Sequence, residues 1–188
     1  MKEIDSIIDE SSKTILEIKN HINEIDDVIS KIISCFKNGK KIIIFGNGGS
    51  ATDAQHIATE FLGRFENERE SLPAIALSTD TSSITSIAND YSFDIVFSRQ
   101  CESLVDVGDV VIGISTSGNS INVKNGLEVS RKKGATIIAL LGNDGGIIKK
   151  ITDVAIIVNS KSTARIQEAH RTIYHIICQQ VETAFKKN

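Results

Sequence analysis

The amino-terminal part of the chain repeats isoleucine at helical spacing. Between residues 1 and 38, apolar side chains recur every three or four positions, which is the period of an amphipathic helix. Asn38 and Gly39 then supply a typical helix stop. Because the pattern covers about ten turns, which is long for one helix, we expect a break near residues 20–23.

From residue 40 the pattern changes to short, uninterrupted apolar runs. They lie at 41–45, 74–77, 110–114, 136–140 and 154–158. Apolar runs without alternating polar residues are typical of parallel strands that are covered on both faces. Helical segments are expected between and after them, at 51–63, 82–90, 120–133, 145–150 and 165–186.

This alternation of strands and helices predicts an α/β fold. We expect a three-layer α/β/α open parallel sheet of Rossmann-like type, with right-handed crossovers and an N-terminal helical extension. The chain has one proline and no low-complexity linker. We therefore interpret residues 1–188 as a single domain, with N-terminal helices over 1–38, an α/β core over 40–160 and a C-terminal helix over 165–186.

Composition and charge narrow the classes of function. The chain has 188 residues, 40% of them hydrophobic, and a formal net charge of −3, which argues against a nucleic-acid binder. No apolar stretch approaches the ~18 residues of a membrane span, and the first residues lack the apolar core of a signal peptide. The three cysteines are far apart, so we expect buried thiols in a cytoplasmic protein rather than disulfides or a thiolate zinc site.

Three predicted strands end in loops rich in glycine, serine and asparagine, at 46–50, 115–120 and 142–146. Ligands of open parallel sheets bind at the carboxyl ends of the strands. There, hydroxyls, free N–H groups and helix dipoles bind anions. A tight turn with helix caps is the alternative explanation for any one loop. The hydroxyl side chains of the second loop favour a phosphate site, formed by Ser115, Thr116, Ser117 and Ser120.

These loops do not indicate a nucleotide cofactor. The segment from Gly46 to Ala51 matches G-x-G-x-x-A, but Glu66 lies in a polar stretch and not at a strand end. We therefore reject a dinucleotide site. No G-x-x-x-x-G-K-[ST] motif occurs, and the serine-rich loop has no lysine. That chemistry suits a monophosphate carried by a small molecule.

His56 and Glu60 follow the first loop on one predicted helix. At a spacing of i, i+4 they project from the same face. Each residue alone is more often a solvated or core side chain. Beside a glycine loop, the pair can share a metal ion or a substrate.

Four segments together resemble the phosphoheptose isomerases of the sugar-isomerase (SIS) domain superfamily. They are FGNGGSATDAQHIATEFLGRF from Phe45, Ile87-Ala88-Asn89-Asp90, ISTSGNS from Ile114, and RIQEAH from Arg165 with His175 further on. The resemblance covers essentially the whole chain. The serine-rich loop alone indicates only a sugar-phosphate SIS domain, whereas His56, Glu60, Gln167 and His175 together are more specific.

This resemblance implies a ketose–aldose isomerase that converts sedoheptulose 7-phosphate to D-glycero-D-manno-heptose 7-phosphate. The product would be a precursor of the heptose in lipopolysaccharide or another surface glycan. It also implies a cytoplasmic homotetramer with sites at subunit interfaces. The expected cofactor is one zinc ion per subunit, with no nucleotide cofactor and no nucleic-acid or membrane partner.

The resemblance also assigns the site residues. The metal set would be His56, Glu60, Gln167 and His175. On a straight helix, Gln167 and His175 are ~12 Å apart, so they share one ion only if Gln167 lies at a frayed helix start or belongs to another subunit. An isomerisation through a cis-enediol needs a base and an acid. We assign Glu60 as the base and His175 as the acid.

The remaining expected contacts are with substrate. By resemblance, Asn89 and Asp90 contact sugar hydroxyls, for which amide and carboxylate groups are suitable partners. Ser115, Thr116, Ser117 and Ser120 would hold the phosphate. The sugar would be approached by Asn47, Gly48 and Gly49, with Glu60 and Gln167 also touching substrate.

Two other functions remain open. One is a non-catalytic tetrameric SIS protein that senses a sugar phosphate or serves as a replication-initiator-binding scaffold. The other is an isomerase of a different sugar phosphate. The presence of both Glu60 and His175 favours catalysis, and the chain has no helix-turn-helix extension for a DNA-bound regulator. Only the resemblance selects a heptose.

Overall fold

A five-stranded parallel sheet forms the centre of the computed structural model, which describes residues 2–186. The strands are β1 (Ile42–Gly46), β2 (Ala74–Ala76), β3 (Val110–Ser115), β4 (Thr136–Gly142) and β5 (Val154–Val158). Their order across the sheet is β2-β1-β3-β4-β5. The five predicted strands and their parallel pairing are confirmed.

Helices cover both faces of this sheet. The α-helices are α1 (Lys2–Leu16), α2 (Ile22–Lys37), α3 (Gly49–Leu62), α4 (Thr81–Asp90), α5 (Val96–Leu104), α6 (Ile121–Lys132) and α7 (Thr163–Thr183). Side chains alternate along β1, so Ile42 and Ile44 join one core cluster with α2, α3 and α7. Ile43 and Phe45 join a second cluster with α5 and α6. The predicted α/β/α layering is therefore confirmed.

The expected break in the N-terminal helix is present as a 3₁₀ segment over Glu17–His21, slightly earlier than expected. Ile18 of this segment is buried. None of the helices in the described residues is long and apolar enough to cross a membrane. The three cysteines are free and buried, as expected.

Two details of the sequence-based prediction were wrong. No helix was predicted over Val96–Leu104, although Val96, Phe97 and Cys101 are buried at helical spacing. The helix predicted at 145–150 is instead a short 3₁₀ turn over Ile148–Ile151. Gly145 and Gly146 have positive φ angles of 87° and 52°, a backbone conformation outside the right-handed helix.

The strand order places a crevice at the carboxyl ends of β1 and β3. These strands are neighbours in the sheet, but the chain continues from β1 to β2 on one side and from β3 to β4 on the other. Such a switch point is where open α/β sheets bind ligands. The first two glycine- and serine-rich loops both border it.

His170 on α7 makes stability depend on pH. It is fully buried, and its Nε2 lies 3.0 Å from the Leu141 carbonyl oxygen. Burial lowers the pKa of His170, so the folded protein keeps it neutral. Its contribution to stability is complete above the unfolded-state pKa of about 6.5. It declines as the pH falls below that value, because the unfolded chain then binds the extra proton.

We therefore expect His170→Gln to flatten the acid loss of stability between pH 7.5 and 5.5. The wild-type loss from this one group approaches ~1.4 kcal/mol per pH unit below pH 6.5. Urea unfolding at a series of pH values measures the slope. His21→Gln is the matched control and should keep the wild-type slope. Equal slopes for wild type and His170→Gln would contradict this prediction.

Candidate functional site

The loop after β1 turns the chain sharply into α3. Gly48 has a φ angle of +54°, a conformation that favours glycine. The N–H groups of Ser50 and Ala51 donate to the carbonyls of Asn47 and Gly48 and start the helix. The loop therefore places the N-terminus of α3 at the sheet crevice. Its free N–H groups can bind an anion or another polar ligand there.

The loop after β3 brings three hydroxyl groups together. Ser115 Oγ lies 3.0 Å from Ser120 Oγ and 3.4 Å from Ser117 Oγ. Ser120 is the N-cap residue of α6, and its side chain makes no capping hydrogen bond. Hydroxyls and free helix N–H groups at one point suit a phosphate oxygen. Thr116 lies within the same loop, and its carbonyl accepts from Asn143.

An amide pair joins the two loops. Asn47 Nδ2 donates to Asn122 Oδ1 and Asn122 Nδ2 donates to Asn47 Oδ1, both at 2.9 Å. Asn122 Oδ1 also accepts from the backbone of Val123. The side chain of Asn47 is therefore held rigidly, with one N–H left for a ligand.

The third loop supports the second loop. A Cβ atom on Gly118 would lie 2.4 Å from the backbone of Gly145, and one on Gly142 would lie 2.3 Å from the Thr116 carbonyl oxygen. Asn143 donates to the same Thr116 carbonyl at 2.9 Å. The glycines of 142–146 thus let the backbone of the third loop pack closely against the serine-rich loop and hold it in place.

Helices α3 and α7 run side by side in the same direction. Near the first loop, a Cβ atom on Gly49 would lie 2.2 Å from Gln167 Nε2. Two turns further, the rings of His56 and His175 lie 5.1 Å apart. The face of α7 that carries Gln167 and His175 therefore packs against the face of α3 that carries Gly49 and His56.

His56, Glu60 and His175 form one cluster on this interface. Their ligand atoms all lie within 4.8 Å of one another, and His56 Nε2 is 2.9 Å from Glu60 Oε1. The Glu60 side chain is 17% exposed. Burial and the neighbouring His56 lower the pKa of His175, and Glu60 opposes them. The cluster thus combines a carboxylate with a mainly neutral imidazole in a half-buried position.

These three donors fit a transition-metal ion. Two imidazole nitrogens and one carboxylate oxygen are a known ligand set for catalytic zinc, which keeps its fourth position open. The set also suits nickel, cobalt or manganese. α7 is regular from Thr163, so Gln167 of the same chain is not at a frayed start and lies ~12 Å from His175 along the axis.

Asn89 and Asp90 lie at the end of α4, apart from this cluster in the described contacts. Both are exposed, and Asn89 Nδ2 donates to Asp90 Oδ1 at 2.9 Å. Their aromatic neighbours Tyr91 and Phe93 are 64% and 54% exposed. The expected sugar contacts therefore face outward from the chain.

Sequence reasoning missed two polar residues beside the cluster. The Tyr174 hydroxyl lies 3.1 Å from His56 Nδ1 and 3.4 Å from Asp53 Oδ1. Burial and the Asp53 carboxylate raise the pKa of Tyr174 to about 12, so the hydroxyl keeps its proton at neutral pH. The spacing carried a signal, because Asp53 precedes His56 by one helical turn and Tyr174 adjoins His175.

Comparison with known proteins agrees with this geometry. A family model described as SIS domain matches residues 8–142. The phosphoheptose isomerase of Citrifermentans bemidjiense is 56% identical over 158 residues, which are 84% of this chain and 82% of that protein. The chain belongs to the phosphoheptose isomerase family. A second family member, from Sulfurimonas denitrificans, is 52% identical over 173 residues, 92% of this chain and 89% of that protein.

The fold comparison gives the same family. The solved structure of a phosphoheptose isomerase from Neisseria gonorrhoeae superposes with a TM-score of 0.92 at 39% sequence identity, covering 97% of this chain and 98% of that chain. The resemblance to phosphoheptose isomerases and the SIS-type fold inferred from sequence are therefore confirmed.

Proposed function

We propose that the chain catalyses the isomerisation of sedoheptulose 7-phosphate to D-glycero-D-manno-heptose 7-phosphate through a cis-enediol. The observation that carries the chemistry is the meeting of Glu60, on the helix α3 that starts at the sheet crevice, with His175 on the parallel helix α7. An aldose–ketose isomerisation needs one group to remove a proton from carbon and another to move protons between oxygens.

Residues of the serine-rich loop bind the phosphate in this proposal. Ser115, Ser117 and Ser120 offer converging hydroxyls, and the α6 N-terminus adds N–H donors. Thr116 belongs to the same contact set. Asn47, Gly48, Gly49 and Gln167 line the adjoining wall toward the sugar, since Gln167 lies directly over Gly49.

Glu60 is the proposed general base, and His175 is the proposed general acid. Glu60 would take the migrating proton from one carbon and return it to the neighbouring carbon. His175, once protonated, would donate to the carbonyl oxygen and, as the enediol collapses, take back a proton from the neighbouring hydroxyl, which becomes the new carbonyl. Glu60 and His175 are also proposed metal ligands. A carboxylate held on an ion would be a weaker base and a metal-bound imidazole nitrogen could not donate a proton, so each group would act in proton transfer only when free of the ion.

We propose zinc as the cofactor, one ion per subunit. His56, Glu60 and His175 would hold it, with Gln167 as a fourth ligand from another subunit. When bound, the ion would polarise substrate oxygens as a Lewis acid. The nitrogen and oxygen donor set supports this choice.

We propose a homotetramer in which two chains complete each site. Within one chain, α3 separates Gly49 from Glu60 by about 16 Å along the helix axis. The outward-facing Asn89 and Asp90 then reach the sugar of a neighbouring subunit. Exposed apolar residues on α1, with Ile4 at 63% and Ile8 at 57% exposure, support further helix packing between chains.

The cellular setting follows as part of the same proposal. We place the reaction in the cytoplasm, as the first step toward a nucleotide-activated heptose for lipopolysaccharide or another surface glycan. We also propose that residues 1–188 act as one SIS domain. Three buried free thiols support a reducing compartment.

A direct assay tests the proposed reaction. Purified protein with added Zn²⁺ is mixed with sedoheptulose 7-phosphate in D₂O, and NMR follows the aldoheptose anomeric signal and solvent exchange of the migrating proton. Fructose 6-phosphate serves as the six-carbon control, and light scattering of the same sample gives the oligomer mass. Absence of turnover of the heptulose, or faster turnover of the hexose, would refute the assignment.

We expect Ser117→Asp to weaken sugar-phosphate binding at least about tenfold. The substitution replaces a phosphate hydrogen bond, worth about 1.5–3 kcal/mol with a charged partner, by a repelling carboxylate. Calorimetry with sedoheptulose 7-phosphate measures the affinity. Ser103→Asp, on a serine of α5 outside the loop, is the matched control. Unchanged affinity in Ser117→Asp would remove this loop from the binding site.

A further inference from the structure

The hydroxyl of Tyr174 makes polar contacts at a buried position that a phenyl ring alone would fill equally well. The residue is 1% exposed, and its ring packs edge-on against His56 at 5.4 Å and against His175 at 4.7 Å. The hydroxyl lies at the meeting point of three polar atoms, His56 Nδ1 at 3.1 Å, Arg171 Nε at 3.2 Å and Asp53 Oδ1 at 3.4 Å. A phenyl ring would fill the same space without these bonds.

With a neutral His56 ring, proton counting limits this network to two arrangements. Arg171 Nε can only donate, so the Tyr174 oxygen accepts from it. The single hydroxyl proton then goes either to His56 Nδ1 or to Asp53 Oδ1. Each choice fixes which ring nitrogen of His56 carries the hydrogen.

In the first arrangement Tyr174 donates to His56 Nδ1. His56 then carries its hydrogen on Nε2 and donates it to Glu60 Oε1, at the observed 2.9 Å. In the second arrangement Tyr174 donates to Asp53, and His56 donates from Nδ1 to the Tyr174 oxygen. Nε2 then presents a lone pair toward Glu60 and His175, as a metal ligand must.

Asp53 makes the second arrangement accessible. Its side chain is 3% exposed, and Arg171 Nη2 approaches Oδ1 at 3.3 Å from a side chain that is itself 56% exposed. A buried carboxylate with so long a contact gains from a further donor. A rotation of the Tyr174 hydroxyl supplies that donor without moving either helix.

We propose that Tyr174 is a positioning residue which, with its proton on Asp53, accepts the Nδ1 hydrogen of His56 and so stabilises the tautomer whose Nε2 can bind a metal ion. The relay is a carboxylate–tyrosine–histidine chain, in which the phenol stands between the two groups that usually bond directly beside a metal. This inference rests on the proposed metal site at His56, Glu60 and His175.

The test measures zinc affinity and not activity alone. Tyr174→Phe keeps the ring and removes the hydroxyl, and Tyr91→Phe makes the same change at the exposed tyrosine. Competition with a chromophoric chelator gives the Zn²⁺ dissociation constant of each purified protein. We expect Tyr174→Phe to bind Zn²⁺ 10–100-fold more weakly, the usual effect of removing such an outer partner. Tyr91→Phe should match wild type.

A second readout follows the tautomer itself. Two-bond ¹H–¹⁵N NMR of the imidazole of His56 should show the hydrogen on Nε2 in metal-free wild type and on Nδ1 after Zn²⁺ is added. Binding through Nε2 produces this exchange by itself, so the test is a comparison of the Zn²⁺-loaded proteins. In wild type the Nδ1 hydrogen should be bonded to the Tyr174 oxygen and exchange slowly with solvent, and in Tyr174→Phe it should exchange faster. Equal exchange in the two proteins would contradict the positioning role. His56→Gln identifies the resonance.

The outcomes separate the two proposals. Equal zinc affinity in wild type and Tyr174→Phe would overturn the positioning role and leave the metal site standing. Failure of wild type to bind Zn²⁺ would overturn both. If Tyr174→Phe does not fold, Asp53→Asn replaces it. Asp53→Asn keeps the shape but weakens the acceptor, and unchanged affinity there would overturn the relay.

Discussion

Glu60→Gln should slow isomerisation strongly while the protein stays folded and binds sugar phosphate. The amide keeps the size of the side chain but cannot take a proton from carbon. Loss of a general base costs typically 10²–10⁴-fold in rate, so we expect kcat to fall by at least about 10²-fold. Solvent exchange of the migrating proton, followed by NMR in D₂O, should fall with it.

The control for this experiment is Glu68→Gln. It makes the same chemical change in an exposed side chain whose carboxylate lies 3.3 Å from Arg64 Nε. We expect it to keep wild-type kcat and KM. If Glu60→Gln also keeps wild-type exchange, the base lies elsewhere and His175 is the next candidate. If Glu60→Gln no longer binds the sugar phosphate, Glu60 acts in binding and not in proton transfer.

Much of the fold was predictable because its strands are buried on both faces. The run from Ile42 to Phe45 contains no polar residue, and every one of these side chains is fully buried. Its assignment as a buried strand is therefore unambiguous. The strand-end loops followed from glycine and serine at the carboxyl ends of such runs. α5 was harder to predict, since it mixes Ser98, Arg99 and Gln100 with only a narrow apolar stripe.

The parts of the site that depend on long-range contacts were not predictable. His56 and Glu60 share a helix, so their spacing gave their common face. His175 lies more than a hundred positions later, and only the packing of α7 beside α3 brings it to them. Tyr174 was missed for the same reason. Asp53 lies on the same helix as His56, but its contact with the distant Tyr174 is what links it to the site. Nothing in a single sequence states that two helices run in parallel at one register.

A buried ion pair holds the segment that follows α3. The side chains of Arg69 and Glu182 are both fully buried, and Arg69 Nε lies 3.4 Å from Glu182 Oε1. Glu182 accepts backbone N–H bonds from Phe65, Glu66 and Asn67 at 2.7–2.8 Å. Burial raises the pKa of Glu182, but these three donors outweigh it and hold the pKa below its usual value.

Arg69 closes the carboxyl end of the helix that carries Glu60. Its guanidinium donates to the carbonyls of Glu60 at 2.6 Å, Phe61 at 2.8 Å and Gly63 at 3.1 Å. These are helix-end carbonyls that lack an intrahelical partner. The Glu182 carboxylate thus holds both the backbone at Phe65–Asn67 and the Arg69 side chain that caps the carboxyl end of α3. The Phe65 ring in turn contacts His175 at 5.7 Å, so this anchor borders the proposed acid–base pair.

Glu182→Gln should lower the free energy of unfolding by about 3–5 kcal/mol, the cost of leaving one member of a buried pair without its partner. The amide turns an N–H donor toward backbone N–H groups and leaves the Arg69 charge uncompensated. Urea unfolding at pH 7 and one protein concentration measures the change. Glu128→Gln, which breaks a surface pair with Lys124, should cost at most about 1 kcal/mol. A loss below about 1 kcal/mol in Glu182→Gln would contradict the anchoring role of this carboxylate, because the substitution disturbs both the ion pair and the backbone hydrogen bonds. In that case Glu60 and His175 would keep their geometry without the anchor.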